Sequence, residues 1–150
     1  MRTILILLVL SQCSIKNEQS EWDTIFDGKN LDGWTVKVKG YPIGDNFGNT
    51  FKVVDEAIQV SYENYDNFDF KFGHIYYTDK KYKNYHLKLE YKFFGDQAIG
   101  GEGWATKNSG IMFHSQHPET MLIDQSFPVS LEAQFLGGLG DGKRPTGNLC

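Results

Sequence analysis

From Val129 to Phe135 apolar and polar residues alternate without a break. Val129, Leu131, Ala133 and Phe135 are apolar, and Ser130, Glu132 and Gln134 are polar. A period of two predicts a strand with one face in a core and the other toward solvent or a cleft. Residues two apart stand roughly 7 Å from each other on one face, so Glu132 and Gln134 present a carboxylate and an amide side by side.

The same period marks His86 to Phe94, where Leu87, Leu89, Tyr91 and Phe93 face one way and His86, Lys88, Glu90 and Lys92 the other. It recurs in Asn108 to Gln116, with Ile111 and Phe113 on one face and Gly110, Met112 and His114 on the other. Gly110 inside a strand points to a bulge or to a close approach to the backbone. Thr35 to Val38 and His74 to Thr78 read as strands. Thr50 to Val54 and Ala57 to Ser61, split by Asp55-Glu56, have the spacing of a tight hairpin.

Asp27-Gly28 and Asp32-Gly33 are turn signals, without the ligand spacing or closing Glu of a calcium loop. Tyr62 to Phe72 is a long loop whose aromatics pack it down. The Gly95 to Gly103 loop lacks the Gly-Lys-Ser/Thr of a phosphate cradle. No amphipathic helix longer than two turns and no internal repeat is predicted, so the chain is all-β, a sandwich or a barrel.

Composition agrees with that class. The 150 residues suit one domain with one core, and sixteen glycines with eleven Phe and eight Tyr favour strands joined by turns. A net charge of -4 supplies no basic field for a phosphate backbone, so nucleic acid is not an expected partner. The clusters Lys80, Lys81, Lys83 and Lys143, Arg144 read as solvated edges or turns.

Residues 1–13 form an export signal. Arg2 precedes an apolar run from Ile4 to Leu10, far short of the ~20 residues that span a bilayer. Leu10-Ser11-Gln12-Cys13 resembles a bacterial lipoprotein cleavage site with Cys13 as the lipidated residue, although Gln12 stands where a small residue is usual. Residues 14–21 read as a polar tether and 22–150 as the domain, lipid-anchored in the periplasm or at the outer membrane. With Cys13 acylated, Cys150 has no partner for a disulfide; a Cys13 to Cys150 bridge is the alternative.

FDGKNLDGW, YYTDKKYKNYHLKLEYKF, NSGIMFHSQ, and SLEAQFLGG followed by RPTGNLC occur in that order. Together they resemble the bacterial 3-keto-disaccharide hydrolase domain family, also described as 3-keto-glucoside 1,2-lyase and 3-keto-2-hydroxyglucal hydratase domains, from about Trp22 to the last residue. The resemblance implies a concanavalin-like jelly-roll β-sandwich and a small sugar substrate. Such domains continue for several strands more, so a C-terminally truncated member is expected.

The residues fit the implied chemistry. Retaining sandwich glycosidases need two carboxylates about 5 Å apart, and Glu132-Ala133-Gln134 lacks the second. A ketone at C3 acidifies the proton on C2, so one base and one acid can eliminate the C1 substituent, with a polar group or a divalent metal steadying the enolate. Glu132 and His114, meeting on one polar face, are the candidate base and acid in either order, and the only candidate metal pair. Gln134, Asn108, Ser109 and Gln116 are the candidate substrate contacts. His74, His86 and His117 read as structural. A carbohydrate-binding module without catalysis, or an inactive truncated lipoprotein, are the competing functions.

Overall fold

The computed structural model describes residues 22–150, so the signal sequence, Cys13 and the tether lie outside the described residues. Seven strands follow in chain order among them: β1 (Trp34–Val38), β2 (Phe51–Val54), β3 (Ala57–Val60), β4 (Gly73–Tyr77), β5 (Asn108–Phe113), β6 (Leu131–Leu136) and β7 (Asn148–Leu149). Three single turns of 3-10 helix, Phe47–Asn49, Gly103–Ala105 and Pro118–Thr120, are the helical elements described. The fold is all-β, built from antiparallel sheets β1-β4, β2-β3 and β5-β6-β7. No described helix is long and apolar enough to cross a membrane.

Alternation in β1 divides its surroundings. Val36 and Val38, 5% and 0% exposed, project toward Phe51 of the β2-β3 hairpin, and Leu31, Tyr41, Phe47, Ile58 and Ile75 close around them. Asp55 and Glu56 both adopt positive φ, the backbone of a two-residue hairpin turn. The 62–72 loop is held down by edge-on contacts of Tyr62 with Phe68 and of Phe68 with Phe72. Near the start, the Asp27 carboxylate accepts from the Lys29 N–H at 2.8 Å, a turn contact of the predicted kind.

The other face of the β1-β4 sheet is polar yet buried. The Lys37 ammonium donates to the carbonyls of Val38 (2.9 Å), Tyr41 (3.0 Å) and Ile123 (3.0 Å), which uses all three of its protons. Burial pulls its pKa below the ordinary lysine value, against a smaller opposing pull from Asp124. His74, directly across from Lys37, shares a 2.8 Å hydrogen bond between Nε2 and the Ser126 carbonyl. Burial lowers the His74 pKa, and the Lys37 charge adds to the effect while the Ser126 carbonyl opposes it. The Tyr76 hydroxyl reaches Met121 Sδ at 3.0 Å, so three residues of this face strap down the 121–126 loop.

His86 to Phe94 departs from the expected strand and joins no ladder. Its pattern still acts: Tyr91 stacks on Phe135 at 4.2 Å, and Leu87 lines a hollow with Ile111, Phe113 and Ala133. The segment lies across the apolar face of the β5-β6 sheet as a second layer, with no strand beside it among the described residues to complete a ladder. β5 ends at Phe113 rather than Gln116, because His114 turns to φ 50° and breaks the extended backbone. β7 was not foreseen, since two residues are too few to show a period.

Replacing Lys37 by Met keeps the stem and removes the donor. The expected loss is about 1–3 kcal/mol in denaturant unfolding, the cost of leaving buried carbonyl partners unpaired. An unchanged midpoint would show that the three contacts contribute nothing net.

Candidate functional site

The antiparallel register of β5 and β6 builds the site. Gly110 stands opposite Gln134, Met112 opposite Glu132, and Asn108 opposite Leu136. Alternation therefore places Asn108, Gly110, Met112, Glu132 and Gln134 on one face, and Ser109, Ile111, Phe113, Leu131, Ala133 and Phe135 on the other.

Gly110 is the gap in this face. A Cβ added there would lie 2.3 Å from Glu132 Oε1, 2.7 Å from its Cγ and 2.9 Å from the Ala133 carbonyl oxygen. The glycine thus admits the Glu132 side chain diagonally across β5, the close approach that its place in a strand suggested. Burial raises the Glu132 pKa above the ordinary carboxylate value. No ion pair to Glu132 occurs among the described residues. A half-buried carboxylate without a cation is a stronger base than a solvated one.

Beside it three amides form a row across all three strands of the sheet. Asn148 Nδ2 donates to Gln134 Oε1 at 3.1 Å, Gln134 Nε2 donates to Asn108 Oδ1 at 3.3 Å, and Asn108 Nδ2 donates to the Trp104 carbonyl at 3.2 Å. Each primary amide commits one N–H to the row and keeps a second. Arg144 holds the Trp104 end by donating to the carbonyls of Thr106, Gly137 and Trp104. Main-chain bonds in both directions between Glu132 and Cys150 extend the β7 side.

Three of the expected site residues, Glu132, Gln134 and Asn108, share this face. Three do not. His114 was expected beside Glu132, but its positive φ turns it away from the strand. It lines the hollow of about 660 Å³ with Lys83, Leu87, Ile111, Phe113 and Ala133, while Glu132 is not among the lining residues. Ser109 pairs with Phe135 and so falls on the opposite face. Gln116 is consumed by loop contacts: it donates to the Thr120 carbonyl and accepts from Gln125 and from the Val129 N–H. Asn148 is the contact that sequence reading missed; its signal was the GNLC that follows SLEAQFLGG in order.

The pair nominated for a metal does not converge, and the described residues hold no group of three or more His, Cys, Asp or Glu able to bind one. A second recess of about 220 Å³, lined by Asp27, Asn30, Asp32, Trp34 and Asp79 among others, contains none of the expected site residues.

An all-β domain carrying a lone, desolvated carboxylate beside a row of amides is the class that these features define. The chain belongs to the 3-keto-alpha-glucoside-1,2-lyase-like domain family, whose model matches residues 21–150. No curated protein and no solved structure matches it.

The Glu132 environment has a signed consequence. Its folded pKa is raised, so folding favours the protonated form, and the cost of ionisation is fully present once pH exceeds the folded pKa. Glu132→Gln should therefore be more stable relative to wild type at pH 7 than at pH 4. Thermal unfolding at the two pH values checks this; a difference of opposite sign would mean that the carboxylate is stabilised by an unseen cation.

Proposed function

We propose that this domain is a lyase for 3-keto-glycosides, in which Glu132 removes the proton on C2 of the oxidised ring. The supporting observation is the Glu132 carboxylate lying over Gly110, desolvated and uncompensated by a cation. The C2–H bond breaks, the proton moves to Glu132, and the electron pair spreads onto the C3 oxygen as an enolate. Collapse of the enolate forms the C1–C2 double bond and breaks the bond from C1 to its substituent, whose oxygen takes up a proton. Addition of water to the resulting glucal is the companion reaction of the same site.

Asn108, Gln134 and Asn148 hold the ring in this reading. Their second amide protons are the donors available to sugar hydroxyls and to the charge that develops on the C3 oxygen. Donors fixed by a hydrogen-bonded row need little reorganisation as that charge grows. Glu132 suffices as the base, and His114, Ser109 and Gln116 stand outside the step. The sheets are those of a concanavalin-like jelly-roll sandwich in this reading, and the leader with Cys13 makes the protein exported and lipid-anchored. Non-catalytic sugar binding is the second reading, favoured by the exposed Trp104, 54% accessible.

Incubation with methyl 3-keto-α-glucoside should release methanol and the keto-glucal. Glu132→Gln should lower kcat by at least about 10²-fold, the usual scale of general-base contributions. The acid limb of kcat/KM should lie above 4.5, in the direction of the Glu132 shift. Binding without turnover by wild type would establish the non-catalytic reading, and equal turnover by Glu132→Gln would remove Glu132 from the mechanism.

A further inference from the structure

We infer that His74 is an acid-sensitive latch: its neutral ring pins the 121–127 loop to the β1-β4 sheet, and protonation of the ring loosens that loop. The Ser126 carbonyl can only accept, so Nε2 is the nitrogen that carries the proton in their 2.8 Å bond. Nδ1 is then the bare nitrogen, with no partner among the described hydrogen bonds. A second proton enters there and makes the ring a cation.

The surroundings oppose that cation. Lys37, 2% exposed, is its direct neighbour across the ladder, and like charges facing each other in an antiparallel pair destabilise it. From the loop, the Ser126 carbonyl and the Phe127 ring lie on the imidazole, Phe127 edge-on at 5.7 Å. Asp124, in the same loop, acts on Lys37. Burial holds the His74 pKa below the ordinary 6.5; the Ser126 carbonyl opposes this, and the Lys37 charge adds to it.

Part of that burial comes from the loop itself, through Ser126 and Phe127. Opening the loop returns the imidazole to water and to its ordinary pKa, so proton uptake favours the open form. Above pH 6.5 the ring is neutral in both forms and the latch is fully closed. Below 6.5 the open form takes the proton first, and the loop loses stability until pH reaches the lower pKa of the closed form.

Release of the loop reaches both sheets. The Ile123 carbonyl accepts from Lys37 and from the Gly40 N–H at 2.8 Å, beside β1. Gln125 donates to Gln116 Oε1 at 2.8 Å, beyond the end of β5, and Phe127 contacts Phe72 at 4.7 Å. A single protonation therefore acts on the segment that joins the β1-β4 sheet to the β5-β6 sheet.

Two measurements test the latch. In wild type, ring 15N shifts should show His74 protonated at Nε2 near pH 7 and titrating below 6.5; titration at or above 6.5 would overturn the proposal. Hydrogen exchange at the Gly40 amide, taken against the unstructured rate at the same pH, reads the bond to Ile123. Its protection should fall toward about tenfold between pH 7.5 and pH 5.5, because one unit below 6.5 the open ring is protonated about ten to one. Amides of the β2-β3 hairpin should keep theirs. His74→Gln, which retains an N–H donor and does not titrate, should abolish the pH dependence at Gly40. No loss in wild type, an equal loss in the hairpin, or the same loss in His74→Gln would each overturn the latch. Should His74→Gln fail to fold, the ring titration and the wild-type exchange decide the question by themselves.

Discussion

The register between β5 and β6 is the constraint on which the site depends. It sets Gly110 opposite Gln134 and lets Glu132 lean across the strand where no Cβ stands in the way. A slip of β6 by one residue would send Glu132 and Gln134 to the face of Ile111 and Phe113, and bring Ala133 and Phe135 into the polar face. The apolar side fixes the register: Tyr91 on Phe135 and Leu87 near Ala133 anchor β6 against the 86–94 segment. Packing on one surface thereby positions chemistry on the other.

Buried polar groups connect the rest of the domain to this arrangement. Lys37 and His74, side by side on the β1-β4 sheet, each reach one carbonyl of the loop that leads into β6, at Ile123 and Ser126. The same loop carries Phe127, whose ring touches His74, Phe72 and Trp104. A buried ammonium that donates to three carbonyls fixes the geometry of the groups around it. The two sheets are thus coupled through a strap that is polar on one side and aromatic on the other.

Much of this was legible in the sequence because period two is a local signal. Val129 to Phe135 announced β6 and its polar face, Asp55-Glu56 announced the hairpin turn, and Gly110 announced a close approach. What escaped was set by single backbone torsions and by partners distant in sequence. Nothing in NSGIMFHSQ shows that His114 takes φ 50° and leaves the face shared by Gly110 and Met112. The alternation of His86 to Phe94 matches the turning of Leu87 and Tyr91 toward the β5-β6 sheet, but these side chains stay 43% and 50% exposed, and the period could not tell whether a neighbouring strand would supply hydrogen bonds. Gln116 looked free because its partners, Thr120, Gln125 and Val129, lie in a loop without a pattern. Ser109 was misplaced through its adjacency to Asn108, since neighbours in a strand point to opposite faces.

The chain belongs to the 3-keto-alpha-glucoside-1,2-lyase-like family, and the Glu132 carboxylate leans over Gly110. The proposed C2 deprotonation joins these two observations. The most direct measurement is the fate of that proton. With a 3-keto-α-glucoside deuterated at C2, the account predicts a primary isotope effect on elimination by wild type. It also predicts no loss of deuterium to solvent in the presence of Glu132→Gln beyond the uncatalysed rate. Release of the C1 substituent with deuterium retained at C2, or undiminished exchange by Glu132→Gln, would contradict it.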